Sequence, residues 1–442
     1  MTERLFSRTG DTASMLIEGA HLVDSGSGLE GVAADVLIED GIVTRIDRGI
    51  DAPAAERFDA SGMTMTPGLV DPHVHLRTPG DEDEEDVGSG SRAAAAGGFV
   101  AILAMPNTQP IVDSAPVLSG LIELAREQAV IPTGFIAAIT LGQEGKQLTE
   151  MAELADRGAA AFSDDGRPVE RAGMLRRALQ YSRVTGLRLS LHEEDTSLTA
   201  GSHMHEGAVS AELGLTGYPS IGESVMVARD LQIARHEGIG LHLCHISAAE
   251  SVAEIRRAKE LGVEVTAEVS PHHLCLTEEI VRGLDPSISK MNPPLRAASD
   301  RAALVEALAD GTLDCIATDH APHRADEKEQ PFEAAPNGVI GLETAFAAVY
   351  THLVAPGLVP LSVVIERMSG GPARALGLPA PALREGERAN LALWSLGESK
   401  MVAPPYISKS RNCAFAGQTL QGRCTLTVAD GVVAHRLVEA VR

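Results

Sequence analysis

Two histidines, His73 and His75, lie two residues apart in the stretch DPHVHLRTPG, directly behind the apolar run TMTPGLV. Alternate residues of a strand point to the same face, so both imidazoles can reach one ion. A lone pair of this kind is weak evidence for a metal. More imidazole and carboxylate groups, however, end other strand-like runs: Asp164 and Asp165, His192, His245, and Asp319 with His320.

Four imidazoles and two carboxylates form a ligand set with a definite chemistry. Such a set suits Zn2+, or less often Mn2+, Co2+ or Fe2+. Six ligands exceed what one tetrahedral zinc uses, so two ions sharing a bridging carboxylate fit the number better. Such ions lower the pKa of water to about 7 and polarise a carbonyl. A nearby carboxylate, best placed as Asp319, can move the proton to a leaving nitrogen. The set therefore predicts hydrolysis of an amide-like bond.

Four further polar residues indicate how a substrate is held. Arg77 lies two residues past His75, which keeps it on the ligand side of the strand. Asn107 ends the second strand-like run in AMPNT, Asn292 lies in KMNPPLR, and His323 follows the eighth run as the last residue of ATDHAPH. Each alone is an ordinary rim residue or turn cap. Together they predict a clamp for a carboxylate, in which the arginine pairs bidentately with the anion.

The elements that must position these groups alternate between strands and helices from residue 64 to 375. Eight strand-like runs are MTPGLVDPHVHL, FVAILAMPNT, TGFIAAIT, GAAAFSDD, LRLSLHEE, IGLHLCHIS, VEVTAEVSPHH and TLDCIATDH. Between them lie stretches with helical spacing that end at glycine, such as AGMLRRALQYSRVTG. Eight such alternations predict a (β/α)8 TIM-type barrel, whose polar groups gather at the carboxyl ends of its strands. The rival doubly wound sheet lacks support, because no GxGxxG turn is present.

Both ends of the chain read as β-structure. SMLIEGAHLVD and ADVLIEDGIVTRID alternate apolar and polar residues, and Asp40-Gly41 and Asp430-Gly431 are hairpin signals. The pieces LIEDGIV and TVADGVV resemble each other. We therefore predict a small β-sandwich domain formed by residues 1–63 and 376–442, with the barrel over 64–375.

Composition excludes several classes of partner. The net charge of −24 argues against a nucleic-acid or anionic-membrane surface. Apolar runs fall short of a membrane span, and the N-terminus lacks the apolar region of a secretory signal. Five scattered cysteines without a CxxC pair indicate reduced thiols in a cytoplasmic protein. The acidic run GDEDEED is expected to be a solvated loop.

Other histidines receive structural interpretations. His203 and His205 form a second HxH, but they lie in a polar, glycine-containing segment that predicts a surface loop. His242 lies three residues before His245, so we expect it to face the opposite side of the strand and pack against a helix. His272 and His273 could line the mouth behind the ligands. No GxSxG elbow or thiol-enzyme pattern is present.

Seven segments in this order resemble one known family: DPHVHLR, AMPNT, AFSDDG, HLCHIS, EVSPHHL, MNPPLR and ATDHAPH. The chain is similar to bacterial type I dihydroorotases of the amidohydrolase superfamily, over nearly its entire length. The resemblance implies reversible cyclisation of N-carbamoyl-L-aspartate to L-dihydroorotate in pyrimidine biosynthesis. It also implies a homo-oligomer and, in some relatives, association with aspartate transcarbamoylase.

The resemblance assigns a role to each candidate residue. It implies His73 and His75 on one zinc ion, His192 and His245 on the second, Asp165 as bridge, Asp319 as ligand and general base, Arg77, Asn107 and His323 on the substrate carboxylate, and Asn292 on the ring. Many relatives, including hydantoinases, bridge with a carbamylated lysine at strand 4. GAAAFSDDG has no lysine, and the spacing to the strand-5 histidine favours Asp165 over Asp164. The chain departs from the family at Thr78, where a glutamate is common.

Three alternatives remain at the level of sequence. The first is a hydantoinase, dihydropyrimidinase or allantoinase, whose substrates lack the carboxylate that Arg77 would bind. The second is an inactive dihydroorotase-like scaffold for aspartate transcarbamoylase, which would have lost its metal ligands. The third is a metal-dependent deaminase on the same barrel, disfavoured by the strand-4 carboxylate. The polar loop from His323 to Gly341 is expected to move over the substrate.

Overall fold

The two ends of the chain meet in one sheet. The computed structural model describes residues 2–437, and its largest sheet has eight strands in the order β17-β16-β15-β5-β1-β2-β3, with β4 paired to β1. These strands are β1 (Met15–Asp24), β2 (Leu29–Glu39), β3 (Ile42–Asp47), β4 (Glu56–Asp59), β5 (Thr64–Pro67), β15 (Leu391–Met401), β16 (Thr419–Ala429) and β17 (Val432–Arg436). They enclose a core of their own, with Ile17, Val36, Leu391 and Leu426 fully buried. The predicted β-sandwich is confirmed.

Two Asp-Gly turns join neighbouring strands of this sheet. Asp40 and Gly41 have φ of 51° and 78°, and Asp430 and Gly431 have φ of 45° and 76°. Positive φ at both central residues is the twist that a two-residue hairpin needs, and aspartate followed by glycine accepts it readily. The sequence signal thus has its expected conformation at both ends of the chain.

The middle of the chain closes into a parallel barrel. Its strands are β6 (Leu69–Val74), β7 (Phe99–Ala104), β8 (Thr133–Phe135), a bridge at Phe162, β9 (Ser190–Leu191), β12 (Leu241–Leu243), β13 (Val265–Val269) and β14 (Cys315–Ile316). A parallel bridge between Val74 and His320 joins the last position to the first. This closure confirms the (β/α)8 barrel and excludes an open doubly wound sheet.

The first predicted barrel strand divides in two. Thr64–Pro67 joins the terminal sheet as β5, antiparallel to β15, and the barrel begins only at Leu69. Gly68 lies at the junction, where its N–H donates to the carbonyl of Asn390. Met65 is buried in the core of the terminal sheet, whereas Leu69 is buried in that of the barrel. One continuous apolar run therefore serves two cores.

Helices surround the barrel and connect its strands. They are α1 (Val87–Ala96), α2 (Ala115–Gln128), α3 (Met151–Arg157), α4 (Ala172–Thr185), α5 (Thr196–Thr199), α6 (Ala208–Leu213), α7 (Ile221–Glu237), α8 (Ala249–Glu260), α9 (Pro271–Cys275), α10 (Pro286–Ser289), α11 (Ala298–Asp310), α12 (Ala325–Lys328), α13 (Ala345–Val349), α14 (Leu361–Met368) and α15 (Gly370–Ala375). A two-stranded ribbon, β10 (Met204–His205) with β11 (Gly217–Tyr218), lies outside the barrel. Between residues 2 and 437, no helix is both long and apolar enough to cross a membrane.

Candidate metal centre

The predicted ligands converge at the carboxyl ends of five strand positions. His73 is fully buried, and its Nε2 lies 3.5 Å from an oxygen of Asp165 and 3.5 Å from one of Asp319. His75 Nε2 lies 3.6 Å from Asp165 Oδ2 and 3.2 Å from Asp319 Oδ1. The two imidazoles of DPHVHLR thus face the same pair of carboxylates, as their spacing predicts.

Asp165 lies at the centre of the cluster. Its Oδ1 is 3.5 Å from His245 Nε2 and 3.7 Å from His192 Nδ1, in addition to its contact with His73. Its Oδ2 faces His75. Two groups of three residues, His73–His75–Asp165 and Asp165–His192–His245, each have donor atoms within 4.8 Å of one another. The two groups share only Asp165, the residue that the sequence predicts as the bridge.

The neighbouring Asp164 turns away from this cluster. Its carboxylate accepts hydrogen bonds from the N–H groups of Ile139 and Thr140, at 2.8 and 3.0 Å, and from the Thr140 hydroxyl. Burial raises its pKa to about 6. The structure therefore brings Asp165 to the histidines and leaves Asp164 holding the preceding loop.

Two buried atoms of the cluster have no hydrogen-bond partner among the described residues. His73 Nε2 and Asp165 Oδ1 are buried and form no hydrogen bond within the described chain. Buried polar atoms nearly always have a partner, so such a pair calls for an explanation. His192 Nδ1 also lies 2.9 Å from His245 Nε2, a separation that needs a proton or a cation between the nitrogens. The donor set therefore fits divalent cations that favour nitrogen and oxygen ligands.

A partner on the far nitrogen fixes the tautomer of three of the rings. His73 Nδ1 donates to Glu268 at 2.7 Å, and His75 Nδ1 donates to Asn107 Oδ1 at 2.9 Å. Both therefore present the bare Nε2 to the cluster. His192 has the other tautomer, because its Nε2 donates to Glu194 at 3.0 Å and its unprotonated Nδ1 faces the cluster. Such outer partners orient a ligand and raise its basicity.

Glu268 and His242 are parts of this site that the sequence interpretation missed. The carboxylate of Glu268 also accepts from His242 Nε2 at 3.0 Å and from the backbone N–H of His245 at 3.2 Å. The expectation that His242 packs against a helix is therefore wrong. It rested on strict alternation as far as His245, but His245 has a φ of 31° beyond the end of β12, and the alternation breaks there.

The four predicted substrate residues divide into two pairs. Arg77 Nη2 lies 3.3 Å from His323 Nε2, and Arg77 Nε donates to the carbonyl of Pro322 at 3.0 Å. Asn107 instead donates to Asp165 Oδ2 at 3.2 Å. Asn292 donates at 2.9 Å to Glu194, the carboxylate that contacts His192. Asn107 thus contacts the cluster, Asn292 contacts the partner of one of its histidines, and the arginine and histidine contact each other.

The acidic run after this strand is only partly the solvated loop that we expected, because residues 80–83 are exposed but Glu84 and Glu85 are buried. Glu85 is fully buried, and its carboxylate lies 3.2 Å from His320 Nε2 and also accepts from Ser408. Glu84 is 6% exposed and lies 3.1 Å from Arg77 Nε. Only tertiary contacts make these two acids internal. Thr78, the departure from the family pattern, is buried and donates to the carbonyl of Leu76.

The remaining histidines are partly internal. His273 contacts the Ser270 hydroxyl at 2.7 Å and the Pro293 carbonyl at 3.0 Å, which makes it a support for the loop before α11. His272 is buried beside it. His203 is half-buried and lines a cavity of about 90 Å3 together with Glu194 and Asn292. The surface-loop interpretation of His203 is therefore only partly correct, because the residue borders the mouth of the site.

The chain is similar to known proteins over most of its length. Residues 62–251 match the family model described as Dihydro-orotase-like. The dihydroorotase of Pelotomaculum thermopropionicum is 47% identical over 421 residues, which cover 95% of this chain and 98% of the relative. The chain belongs to the dihydroorotase family. The dihydroorotase of Anaeromyxobacter sp. strain K is 46% identical over 431 residues, covering 97% and 99% of the two chains.

Solved structures place the dihydroorotase fold among those of other cyclic-amide hydrolases. The L-hydantoinase of Arthrobacter aurescens superimposes with a TM-score of 0.86 at 25% identity, covering 97% of this chain and 98% of the other. The dihydropyrimidinase of Brevibacillus agri gives a TM-score of 0.82 at 22% identity, covering 96% and 95%. This second likeness concerns the fold alone.

Proposed function

We propose that the protein is a dihydroorotase that interconverts N-carbamoyl-L-aspartate and L-dihydroorotate in pyrimidine biosynthesis. Relatives named dihydroorotase, 42–47% identical over nearly the full chain, support the reaction. The observation that carries the mechanism is the position of Asp165 between two pairs of histidines. A binuclear zinc site at this place supplies the chemistry that opening and closing a cyclic amide require.

The residues present fit such a pair of ions. His73 and His75 would hold one zinc ion, His192 and His245 the other, and Asp165 would bridge them, with Asp319 as a further ligand. When bound, the ions lower the pKa of a water molecule to about 7 and polarise the amide carbonyl. Burial alone would raise the pKa of Asp165, but the histidines around it, His73 foremost, hold that pKa well below its usual range.

Asp319 is proposed to move the proton. Its carboxylate is buried, and His75, whose Nε2 lies 3.2 Å away, helps to hold its pKa below the ordinary range despite that burial. It is therefore ionised at neutral pH and able to accept a proton from the attacking water. In the same position it returns the proton to the leaving nitrogen, and the reverse order serves ring closure.

Arg77 and His323 are proposed to bind the carboxylate of the substrate, with Asn107 beside them and Asn292 on the ring. His323 Nε2 lies 2.7 Å from the carbonyl of Asn337 and donates to it, so binding of the substrate carboxylate would redirect this N–H from the carbonyl to the anion. Burial and the neighbouring Arg77 lower the pKa of His323 to about 3, so the ring is neutral. Arg77 is the positive group of this pair, and its Nε faces Glu84, which orients the guanidinium fork.

A hydantoinase-like cyclic amidohydrolase is the second candidate, favoured by the structural likeness to the L-hydantoinase. The absence of lysine from strand 4 argues against the lysine-bridged form of that site. The nearest lysine upstream, Lys146, is exposed and pairs with Glu144 at 3.0 Å. An inactive scaffold is disfavoured because all six ligand side chains are present and converge.

Three broader proposals concern the subgroup, the assembly and the cellular location of the protein. We assign the protein to the bacterial type I subgroup, as a homo-oligomer able to associate with aspartate transcarbamoylase. We place it in the cytoplasm, since its five cysteines are free and buried, as suits a reducing compartment. The native mass of the purified protein, alone and mixed with aspartate transcarbamoylase, tests the assembly.

The experiment that tests the function is turnover by zinc-loaded protein. Dihydroorotate should be hydrolysed and carbamoyl-aspartate cyclised, and both rates should vanish in Asp319→Asn while the melting temperature and circular dichroism stay near those of the wild type. An Asp319→Asn variant with wild-type rates contradicts the proposed role of this residue.

A further inference from the structure

One segment of the terminal β-domain reaches the mouth of the barrel. We call residues 402–418, which connect β15 to β16, the arm. Backbone N–H groups of Ile407 and Ser408 donate to Glu343 at 2.9 and 3.1 Å. The Ser410 hydroxyl donates to the carbonyl of Glu84 at 2.8 Å. The arm therefore touches both the loop after β6 and the segment after the last barrel strand.

Asn412 is the arm residue with the most contacts to the loop that carries His323. Its side chain is 2% exposed. Its Nδ2 donates to the carbonyl of Ala321 and to that of Gly338, both at 3.0 Å. Its Oδ1 accepts from the backbone N–H of His323 at 3.3 Å. One amide thus binds both ends of the loop from 321 to 338 and the backbone of His323 itself.

The same two ends meet directly beside His323. The Ala321 N–H donates to Val339 O at 2.9 Å, and the imidazole of His323 contacts the carbonyl of Asn337. Gly338 has a φ of 135°, and a Cβ there would lie 2.7 Å from the Cβ of Ala321. The backbones at residues 321 and 338 lie too close for a side chain at Gly338. Hydrogen bonds to their carbonyls therefore hold the two ends of the loop together.

We propose that Asn412 is a positioning residue for substrate binding, by which the terminal β-domain sets the place of His323 at the barrel mouth. The inference rests on the proposed function, because it takes His323 to contact the substrate carboxylate. Without the amide, the carbonyls of Ala321 and Gly338 lose a shared donor, and the loop end is free to separate. His323 then moves relative to Arg77, whereas the metal ligands keep their positions.

The arm has other attachments that survive substitution of this side chain. The backbone carbonyl of Asn412 accepts from Ile340 N–H at 2.8 Å. Lys409 pairs with Asp86 and donates to the carbonyl of Glu82 at 2.7 Å. An Asn412→Ala variant therefore retains the arm on the barrel and loses only the three side-chain hydrogen bonds.

The test compares Asn412→Ala and Asn412→Ser with Arg411→Ala, an exposed neighbour on the same arm. In the zinc-loaded full-length protein, Asn412→Ala should raise KM for dihydroorotate about tenfold, since two or three hydrogen bonds are lost. Its kcat should stay within about twofold, and its zinc content should equal that of the wild type. Asn412→Ser retains one donor and should raise KM about threefold. Arg411→Ala should leave both constants unchanged.

A double variant separates positioning from a general structural effect. If Asn412 acts through His323, the KM of His323→Ala with Asn412→Ala should equal that of His323→Ala alone. Hydrogen exchange should become faster in residues 321–341 of Asn412→Ala, and this readout requires no substrate. Additive effects on KM, an unchanged KM in folded Asn412→Ala, or loss of zinc would overturn the inference. If Asn412→Ala does not fold, an unchanged KM in Asn412→Ser overturns it.

Failure of the proposed function would look different. A wild-type protein that does not turn over dihydroorotate contradicts the proposed reaction, whatever the variants do. In that case unchanged hydrogen exchange in residues 321–341 still contradicts the role of Asn412 in holding the loop.

Discussion

The carboxylate of Glu268 lies 2.7 Å from Nδ1 of His73 and joins this ligand to the rest of the barrel interior. It also accepts from His242 and from the backbone of His245, so one buried acid on β13 contacts both β6 and the end of β12. Burial alone would raise its pKa, but His73 and His242 lower the value to about 2. Glu268 is thus a fixed negative charge directly behind the proposed zinc site.

Replacing Glu268 by glutamine should weaken zinc binding. The neutral amide cannot stabilise His73 as strongly, and loss of such an outer partner typically reduces metal affinity by about 10- to 100-fold. Competition with a chelator of known affinity measures the change. Glu264→Gln is the matched control, because Glu264 precedes the same strand and is exposed, where it pairs with Arg188. Equal zinc retention in Glu268→Gln and the wild type would contradict this role.

Substitution by asparagine should reduce zinc binding at position 165 and thermal stability at position 164. Asp165→Asn removes the carboxylate that faces all four histidines, so bound zinc should fall below two ions per chain and turnover should be lost. Asp164→Asn should retain both ions and most of the activity, but it should unfold at lower temperature because the Thr140 loop loses an acceptor. Metal analysis and thermal unfolding of the two proteins decide the matter. Zinc loss in Asp164→Asn alone would reverse our assignment of the bridge.

Arg77→Met should act mainly on substrate binding. The guanidinium is the positive group at the mouth beside His323, so its removal should raise KM for dihydroorotate by about 10- to 100-fold, as expected for a charged hydrogen bond. Steady-state kinetics in both directions measure the effect, and Arg324→Met, on an exposed neighbour of His323, is the control. An unchanged KM would remove the carboxylate clamp from the mechanism.

The loop after the last strand should make stability depend on pH through Lys328. Burial, with Lys290 nearby, lowers the pKa of Lys328 to about 7, while its ammonium donates to the Lys290 and Pro336 carbonyls. Because the unfolded chain keeps this proton up to about pH 10.5 and the folded chain only up to about pH 7, the contribution of Lys328 to stability decreases as pH falls from 10.5 to 7. From pH 7 to 10, the melting temperature of the wild type should therefore rise relative to that of Lys328→Met by about 1 °C per pH unit.

Lys146→Met is the control for this dependence, since Lys146 is exposed. If the melting temperatures of the wild type and Lys328→Met change in parallel with pH, the pKa of Lys328 is the same in the folded and unfolded chains, which contradicts the prediction. The expectation that the loop moves over the substrate is separate, and the hydrogen exchange of residues 321–341 addresses it.

Local patterns were sufficient to predict the strands and the residues that end them. His73, His75 and Asp165 belong to short runs whose alternation determines the face of each side chain, and the barrel brings the ends of such runs together. Where the backbone departs from alternation, as at His245 with its positive φ, prediction failed for His242. Such a backbone conformation depends on the surrounding structure and cannot be recognised from the neighbouring residues in the sequence.

Contacts between distant segments were beyond this kind of prediction. Glu85 belongs to an acidic run that resembles a solvated loop, yet it pairs with His320 and Ser408. Glu268 is a buried acid within a strand, and its partners lie on other strands. Asn412 is separated from His323 by 89 residues, and only the fold of the arm brings them together. In each case a polar residue is internal because a far segment supplies its partner.

The most direct test of the account is the approach to equilibrium between dihydroorotate and carbamoyl-aspartate by the zinc-loaded wild-type protein. Starting from either compound, we expect the same final ratio, reached at a rate proportional to enzyme concentration and abolished when the metal is removed. Hydantoin and allantoin, assayed in parallel, should react far more slowly because they lack the carboxylate that Arg77 would bind. Rapid turnover of hydantoin or allantoin with none of dihydroorotate would contradict the assignment.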